Sequence, residues 1–426
     1  MKTRVATRAV PVPTSGDRTE EAPLRASAVV FDVASKRFCF VSCDTLIIPE
    51  DVLASAAPEI VRQAAVSFEN LLICATHTHH APSTIDILGF KRDKTFCDHL
   101  AKAIIQSAVA AARVLDNPRT APDKAQAELA FAETQEATVG MNSRYLLKDG
   151  SIGWYAYAWE DVVRPTGPYD PDLAVLAFRR PAGELAGLIF NHSVHNIGSL
   201  SPNVWSPAFY GLTARELERR LGATTIFLPG AFGSTHNTSE FGCTPNPRAV
   251  STRECVHRLT AAVEHGLRLS RPLAQGPVKA IKRPFKYRVR RFDEAKEAAT
   301  VKSWGEKYAP DVAEALQRDF HEMRVIMGPL QGREQQAWLQ TIRLGDVALV
   351  GVPGELFASL GLEIRRRSPF RWTYLVGLAN GTLGYIGDRA GYELGGYQLW
   401  AGQHSLTEPG TGETLVDQAV AMLGEL

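Results

Sequence analysis

The chain is most informative at first for what it lacks. Its six cysteines (39, 43, 74, 97, 243 and 255) are scattered over 426 residues with no CxxC pair, so no disulfide framework is expected. Cys39, Cys43 and Cys74 lie in or beside apolar strand-like runs, where cysteine acts as a small hydrophobe. Net charge is only +1 with both signs well mixed, so no basic field is available for a phosphate backbone and nucleic acid is not an expected partner. No run approaches the roughly 18–20 apolar residues of a membrane span. The segment Met1 to Pro23 is rich in Arg, Thr, Pro and Glu and has a basic start, but it lacks the apolar stretch of a signal peptide. The expectation is a cytoplasmic protein, or a secreted one if the start codon is misassigned. There is no Gly-x-Ser-x-Gly elbow: Gly230-Ala231-Phe232-Gly233-Ser234 has the wrong spacing. No Gly-Lys-Ser/Thr follows the Gly-rich run 377–385, which excludes a phosphate loop.

What is present is a chain able to bury a sizeable core, 45% hydrophobic and 22% charged. Ser27 to Asp32 and Arg37 to Asp44 read as strands joined by the turn Ala34-Ser35-Lys36. Leu71 to Ala75, Ala127 to Ala132, Leu173 to Phe178, Leu185 to Phe190, Thr224 to Leu228, Trp338 to Leu344, Val347 to Val352 and Tyr374 to Leu378 read as further strands. Helical spacing marks Pro49 to Phe68, Phe96 to Leu115, Gly211 to Leu221 and Val250 to Leu269. Phe292 to Met327 reads as a surface helical pair broken at Pro310. Interleaved strands and helices predict an α/β fold of mixed β-sheets covered by helices. A poorly structured segment over 1–24 followed by a single domain over 25–426 is the expected division.

Three strand ends carry chemistry. The run Leu71–Ala75 delivers Thr76-His77-Thr78-His79-His80, and in an extended segment His77 and His79 would point to one side. Two converging imidazoles suit a divalent metal or an acid/base pair. A second apolar run ends in Asn191-His192-Ser193-Val194-His195, and a third in Pro353-Gly354-Glu355. Local sequence leaves Glu355 open between a ligand and a first-turn helix residue. The tyrosines 385, 392 and 397, crowded beside Gly395 and Gly396, read locally as half-buried packing.

Taken in order, Thr76-His77-Thr78-His79, the 190–195 strand end, Phe227 to Gly233, Pro353-Gly354-Glu355 and Leu378 through Tyr385 resemble the neutral/alkaline ceramidases, from about Ser27 to Glu413. The resemblance implies a neutral-ceramidase-like catalytic domain that is a zinc amidase. It implies zinc held by His77, His195, Glu355 and Tyr385, a set that suits borderline-soft Zn²⁺ and leaves a place for water. It implies His79 as general base, Tyr397 as donor to the scissile carbonyl, and Arg144, in Asn142-Ser143-Arg144, as a residue fixing a polar substrate group. The expected partner is a small-molecule or lipid-like amide.

There are departures. His80-Ala81-Pro82 stands where relatives commonly have Ser-Gly-Pro, Ala208 where many carry Asp, and Ser234 where many short relatives have Asp. The N-terminal strand is not recognisable, and no immunoglobulin-like domain is expected after Met422. These changes point away from ceramide itself. They also motivate two alternatives: hydrolysis of a non-lipid ester or glycoconjugate, or a non-catalytic metal- or ligand-binding relative.

Overall fold

The computed structural model describes residues 1–14, 16, 18–117, 125–154, 157–237 and 249–426. Its largest sheet has the spatial order Thr225–Pro229, Leu185–His192, Asp172–Arg179, Gln126–Gln135, Lys2–Pro11, Arg25–Val33, Lys36–Cys43 and Leu71–Ala75, with Arg271–Pro272 paired beside Gln126–Gln135. Along this path the middle pairs are antiparallel, and the pair at each end is parallel. A parallel pair needs a crossover. Here the helices Glu50–Ala64 and Ala208–Leu221 supply one at each end. The second sheet orders Val278–Arg288, Glu334–Leu344, Val347–Gly351 and Trp372–Val376. Its last two strands are parallel and are linked through the helix Ala358–Arg367.

The two sheets face each other over an aromatic and aliphatic interior that includes Phe31, Phe38, Phe40, Phe178, Leu228, Leu349 and Tyr374. Helices cover the outer faces. Glu50–Ala64 and Lys94–Asp116 bury one half of the large sheet, and Ala208–Leu221 and Thr252–Leu269 bury the other. Ala358–Arg367 and Thr411–Gly424 cover the small sheet. The large sheet also curls. Its edge strand Thr225–Pro229 lies against Lys36–Cys43 near the far edge, where Ser42 Oγ donates to the Phe227 carbonyl at 2.6 Å. That curl brings the ends of Leu71–Ala75 and Leu185–His192 together, although they are far apart in strand order.

The mixed-sheet α/β expectation therefore holds, and most expected strands and helices lie within a few residues of their observed bounds. Two expectations do not hold. The segment 1–24 contains Lys2–Pro11, a strand paired on both sides near the middle of the large sheet. Its alternation of Thr and Arg with Val and Ala hid it among polar residues. The pair Glu294–Tyr308 and Ala313–Met327 is not merely superficial, since Trp304, Phe320 and Met323 pack with Trp400 into a satellite core. The five described cysteines are buried and unbridged, and Cys243 lies outside the described residues. Among the described residues, no helix is long and apolar enough to cross a membrane.

Candidate metal centre and active site

The four proposed ligands all come from segments that follow, within a few residues or one loop, a strand that belongs to a parallel pair. His77 follows Leu71–Ala75, His195 follows Leu185–His192, Glu355 follows Val347–Gly351 and Tyr385 follows Trp372–Val376. Crevices outside the carboxyl ends of strands are where open α/β sheets place their ligands. The route to His77 differs from the strand alternation expected from sequence. The strand stops at Ala75, and His77 adopts a left-handed φ of 61°. A β-carbon makes that conformation costly, by about 1–2 kcal/mol. The kink still achieves convergence, with the Nε2 atoms of His77 and His79 3.2 Å apart.

The threonines of the motif anchor the loop while the imidazoles face inward. The Thr78 hydroxyl donates to the Ser206 carbonyl at 2.7 Å, and the Thr76 amide donates to the Cys43 carbonyl at 2.8 Å. His77 Nδ1 lies 2.9 Å from the Leu46 carbonyl. His195 Nδ1 lies 2.7 Å from that of Thr235 and 3.1 Å from that of Phe232. A carbonyl can only accept, so in both rings Nδ1 carries the proton and Nε2 presents its lone pair to the centre. Backbone anchoring of this kind is the usual support of a ligating histidine. His79 has no such anchor among the described residues, and its ring is open to solvent.

Glu355 and Tyr385 are direct partners in a two-stranded parallel ribbon, Glu355–Leu356 with Tyr385–Ile386. Glu355 Oε2 lies 3.2 Å from His195 Nε2 and 3.4 Å from His77 Nε2. Even so, this buried oxygen has no hydrogen-bond partner among the described residues. Such an atom is costly to leave unsatisfied. An inward carboxylate oxygen, two Nε2 lone pairs and the Tyr385 hydroxyl, 3.2 Å from His195 Nε2, form a donor set that fits a divalent cation. His77, His79 and His195 alone also form a group close enough to hold a metal.

Burial and close neighbours set the ionisation of the group. Burial pushes Glu355 up, but the imidazoles of His77, His195 and His404 outweigh it and hold the carboxyl below its ordinary value. Burial lowers His77 to about 4 against the pull of Glu355. Burial, with Glu355 and Tyr397 close by, pushes the Tyr385 phenol well above its usual value.

Tyr397 completes the group, its hydroxyl 3.5 Å from that of Tyr385 and its ring stacked on Trp154 at 4.2 Å. Arg144 is 1% exposed and serves the loop that carries Tyr397. Its guanidinium donates to Gln398 Oε1 at 2.9 Å and to the Gly391 and Gly395 carbonyls at 3.1 and 2.6 Å. Burial draws its pKa down to about 10.

Other residues singled out by sequence fall outside the centre. His192 is held by Tyr210, Tyr169 and the Glu136 carbonyl. His80 Nε2 accepts from the Gly198 amide at 3.0 Å, so its lone pair is spent on the backbone. Tyr392 donates to the Thr407 carbonyl. Ser234 Oγ accepts from the Ala358 amide at 3.0 Å and so satisfies the first turn of the helix Ala358–Arg367. Sequence reasoning missed His236, stacked on His195 at 5.6 Å, and His404, both of which burial lowers to about 4. Each is a lone histidine, His236 in the three-residue strand Thr235–Asn237 and His404 in an irregular stretch, with no periodic signal to mark it.

No family model matches the sequence, and no curated protein matches it. Among solved structures, the neutral ceramidase from Pseudomonas aeruginosa superposes with a TM-score of 0.70 at 18% identity, covering 100% of this chain and 75% of that one. The fold is that of the neutral ceramidases. A ceramidase complexed with C2 superposes with a TM-score of 0.71 at 17% identity, over 99% of this chain and 74% of its own. At such identities the likeness to the neutral ceramidases is one of architecture, and any chemistry has to be argued from this chain's own residues.

Proposed function

We propose that this chain is a metal-dependent hydrolase of amide bonds, cleaving an N-acyl linkage in a small or lipid-like molecule. The observation that carries the reading is Glu355 Oε2, buried without a hydrogen-bond partner among the described residues and aimed between His77 and His195. His77, His195, Glu355 and Tyr385 would hold a zinc ion, which would polarise the acyl carbonyl and make water acidic enough to ionise near neutral pH. His79 suits the proton carrier, because it stands beside the ligands and lacks the carbonyl anchor that fixes His77 and His195. It takes a proton from the attacking water and delivers it to the amine nitrogen as the C–N bond breaks, so the products are a carboxylate and an amine. The Tyr397 hydroxyl would donate to the carbonyl oxygen as charge gathers there. Arg144 acts at one remove, holding the segment of Tyr397 through Gln398, Gly391 and Gly395.

Two of the departures from the resembled pattern, at Ser234 and His80, leave this group undisturbed. Ser234 supplies a helix cap and His80 accepts from the Gly198 amide. Elemental analysis should find about one zinc per chain under the four-ligand reading. A panel of N-acyl amines, with N-acyl sphingosines included because of the fold, should contain a substrate that chelation abolishes and zinc restores. A fully active metal-free preparation, or turnover confined to esters, would overturn the proposal.

A further inference from the structure

We infer that His404 is a positioning residue that sets the spacing of the two phenols, Tyr385 and Tyr397; the inference rests on the functional reading above. His404 is 5% exposed and reaches both tyrosines by different atoms. Its Nε2 lies 2.8 Å from the Tyr397 carbonyl, which can only accept, so Nε2 carries the proton. Its own carbonyl accepts from the Tyr385 amide at 2.8 Å. One residue therefore ties the ribbon that bears Tyr385 to the turn that bears Tyr397, and their hydroxyls lie 3.5 Å apart.

The surroundings are built to admit this residue. A β-carbon on Gly402 would lie 2.8 Å from His404 Nδ1, and one on Gly384 would lie 2.1 Å from the His404 carbonyl oxygen. Gly384 also holds a φ of 68°, favourable to glycine. With Nε2 donating, Nδ1 is a buried acceptor that has no partner among the described residues. An apolar side chain would fill the space without that cost, so what the histidine contributes here is its one donor. A phenol proposed as a metal ligand and one proposed to donate to the acyl carbonyl need their separation held to about 0.5 Å, and that tolerance calls for support from behind.

The test compares His404→Phe, which removes the donor, with His404→Gln, which keeps one, and with Gly402→Ala, which crowds the ring in place. Zinc content, kcat, KM and the fluorine NMR signal of 3-fluorotyrosine at position 397 are measured in the metal-loaded protein. His404→Phe should lower kcat by about tenfold to a hundredfold with zinc content intact. KM should stay within about twofold. The fluorine signal should move in both His404→Phe and Gly402→Ala and return towards wild type in His404→Gln. If His404→Phe does not fold, the other two variants decide by the same signal. An unmoved signal, or loss of zinc in a folded variant, overturns the inference. If the wild type cleaves no amide, the functional reading fails, while a moved signal at constant zinc still establishes the clamp.

Discussion

At the scale of single residues, the centre depends on which atoms are already committed. His77 and His195 have Nδ1 bound to carbonyls and differ in this from His79, which predicts different consequences of removing them. His79→Ala should reduce turnover by about 10²–10⁴-fold and leave bound zinc nearly unchanged. Glu355→Ala should instead release the metal, read by elemental analysis after dialysis. Zinc lost from His79→Ala would exchange the roles of ligand and base. Ser234 gives a prediction of stability: Ser234→Ala should cost about 1 kcal/mol in denaturant unfolding and Ser234→Asp much less, because either oxygen can cap the Ala358 amide. Sequence exposed the residues that follow long apolar runs, such as His77 and His195, since a hydrophobic strand ending in imidazoles is unusual. It could not show that His192, three residues before His195, is spent on Tyr210, because that partner lies on the separate helix Ala208–Leu221.

At the scale of elements, local pattern decided most outcomes. The hairpin of Arg25–Val33 and Lys36–Cys43 was legible from two apolar runs, and its turn places Ala34 and Ser35 at φ of 47° and 63°. Both lie in the left-handed region that suits Asn and Gly. The double substitution Ala34→Asn with Ser35→Gly should stabilise the protein by about 1 kcal/mol, measurable as a raised unfolding midpoint. The helix Glu294–Tyr308 ends on Asp149, which accepts from Lys307, Tyr308 and Ser151. Those donors outweigh desolvation and hold Asp149 below the ordinary carboxylate range. Its folded pKa is depressed, so the contribution is present above the unfolded value near about 4 and is lost as pH falls below it. Asp149→Asn should therefore narrow the difference in melting temperature between pH 6 and pH 3. Strands such as Val278–Arg288 were not legible: its basic residues interrupt the alternation, and only pairing with Glu334–Leu344 fixes it as a strand.

At the scale of the whole molecule, the curl of the large sheet was beyond reach of the sequence, because strand order and closure depend on long-range packing rather than local period. Phe31 shows what holds that closure, with its ring against Phe38, Phe40 and Phe178 between the sheets. Phe31→Ala should cost about 3–5 kcal/mol and lower activity only in proportion to the folded fraction. The same curl has a consequence for folding. His77 and His195 come from the two ends of one sheet, and Glu355 and Tyr385 come from segments that follow the strands of the other. An ion gripping all four would fasten three chain regions that share few covalent neighbours, so occupancy and global stability become thermodynamically linked. At free metal about a hundredfold above the dissociation constant, the native state gains roughly 2.7 kcal/mol. Melting temperature should then rise with free zinc and fall with chelator, even in a variant such as Tyr397→Phe that keeps every proposed ligand. In this architecture the cofactor would act as a cross-link drawn from solution, and metal supply would govern how long the folded chain survives.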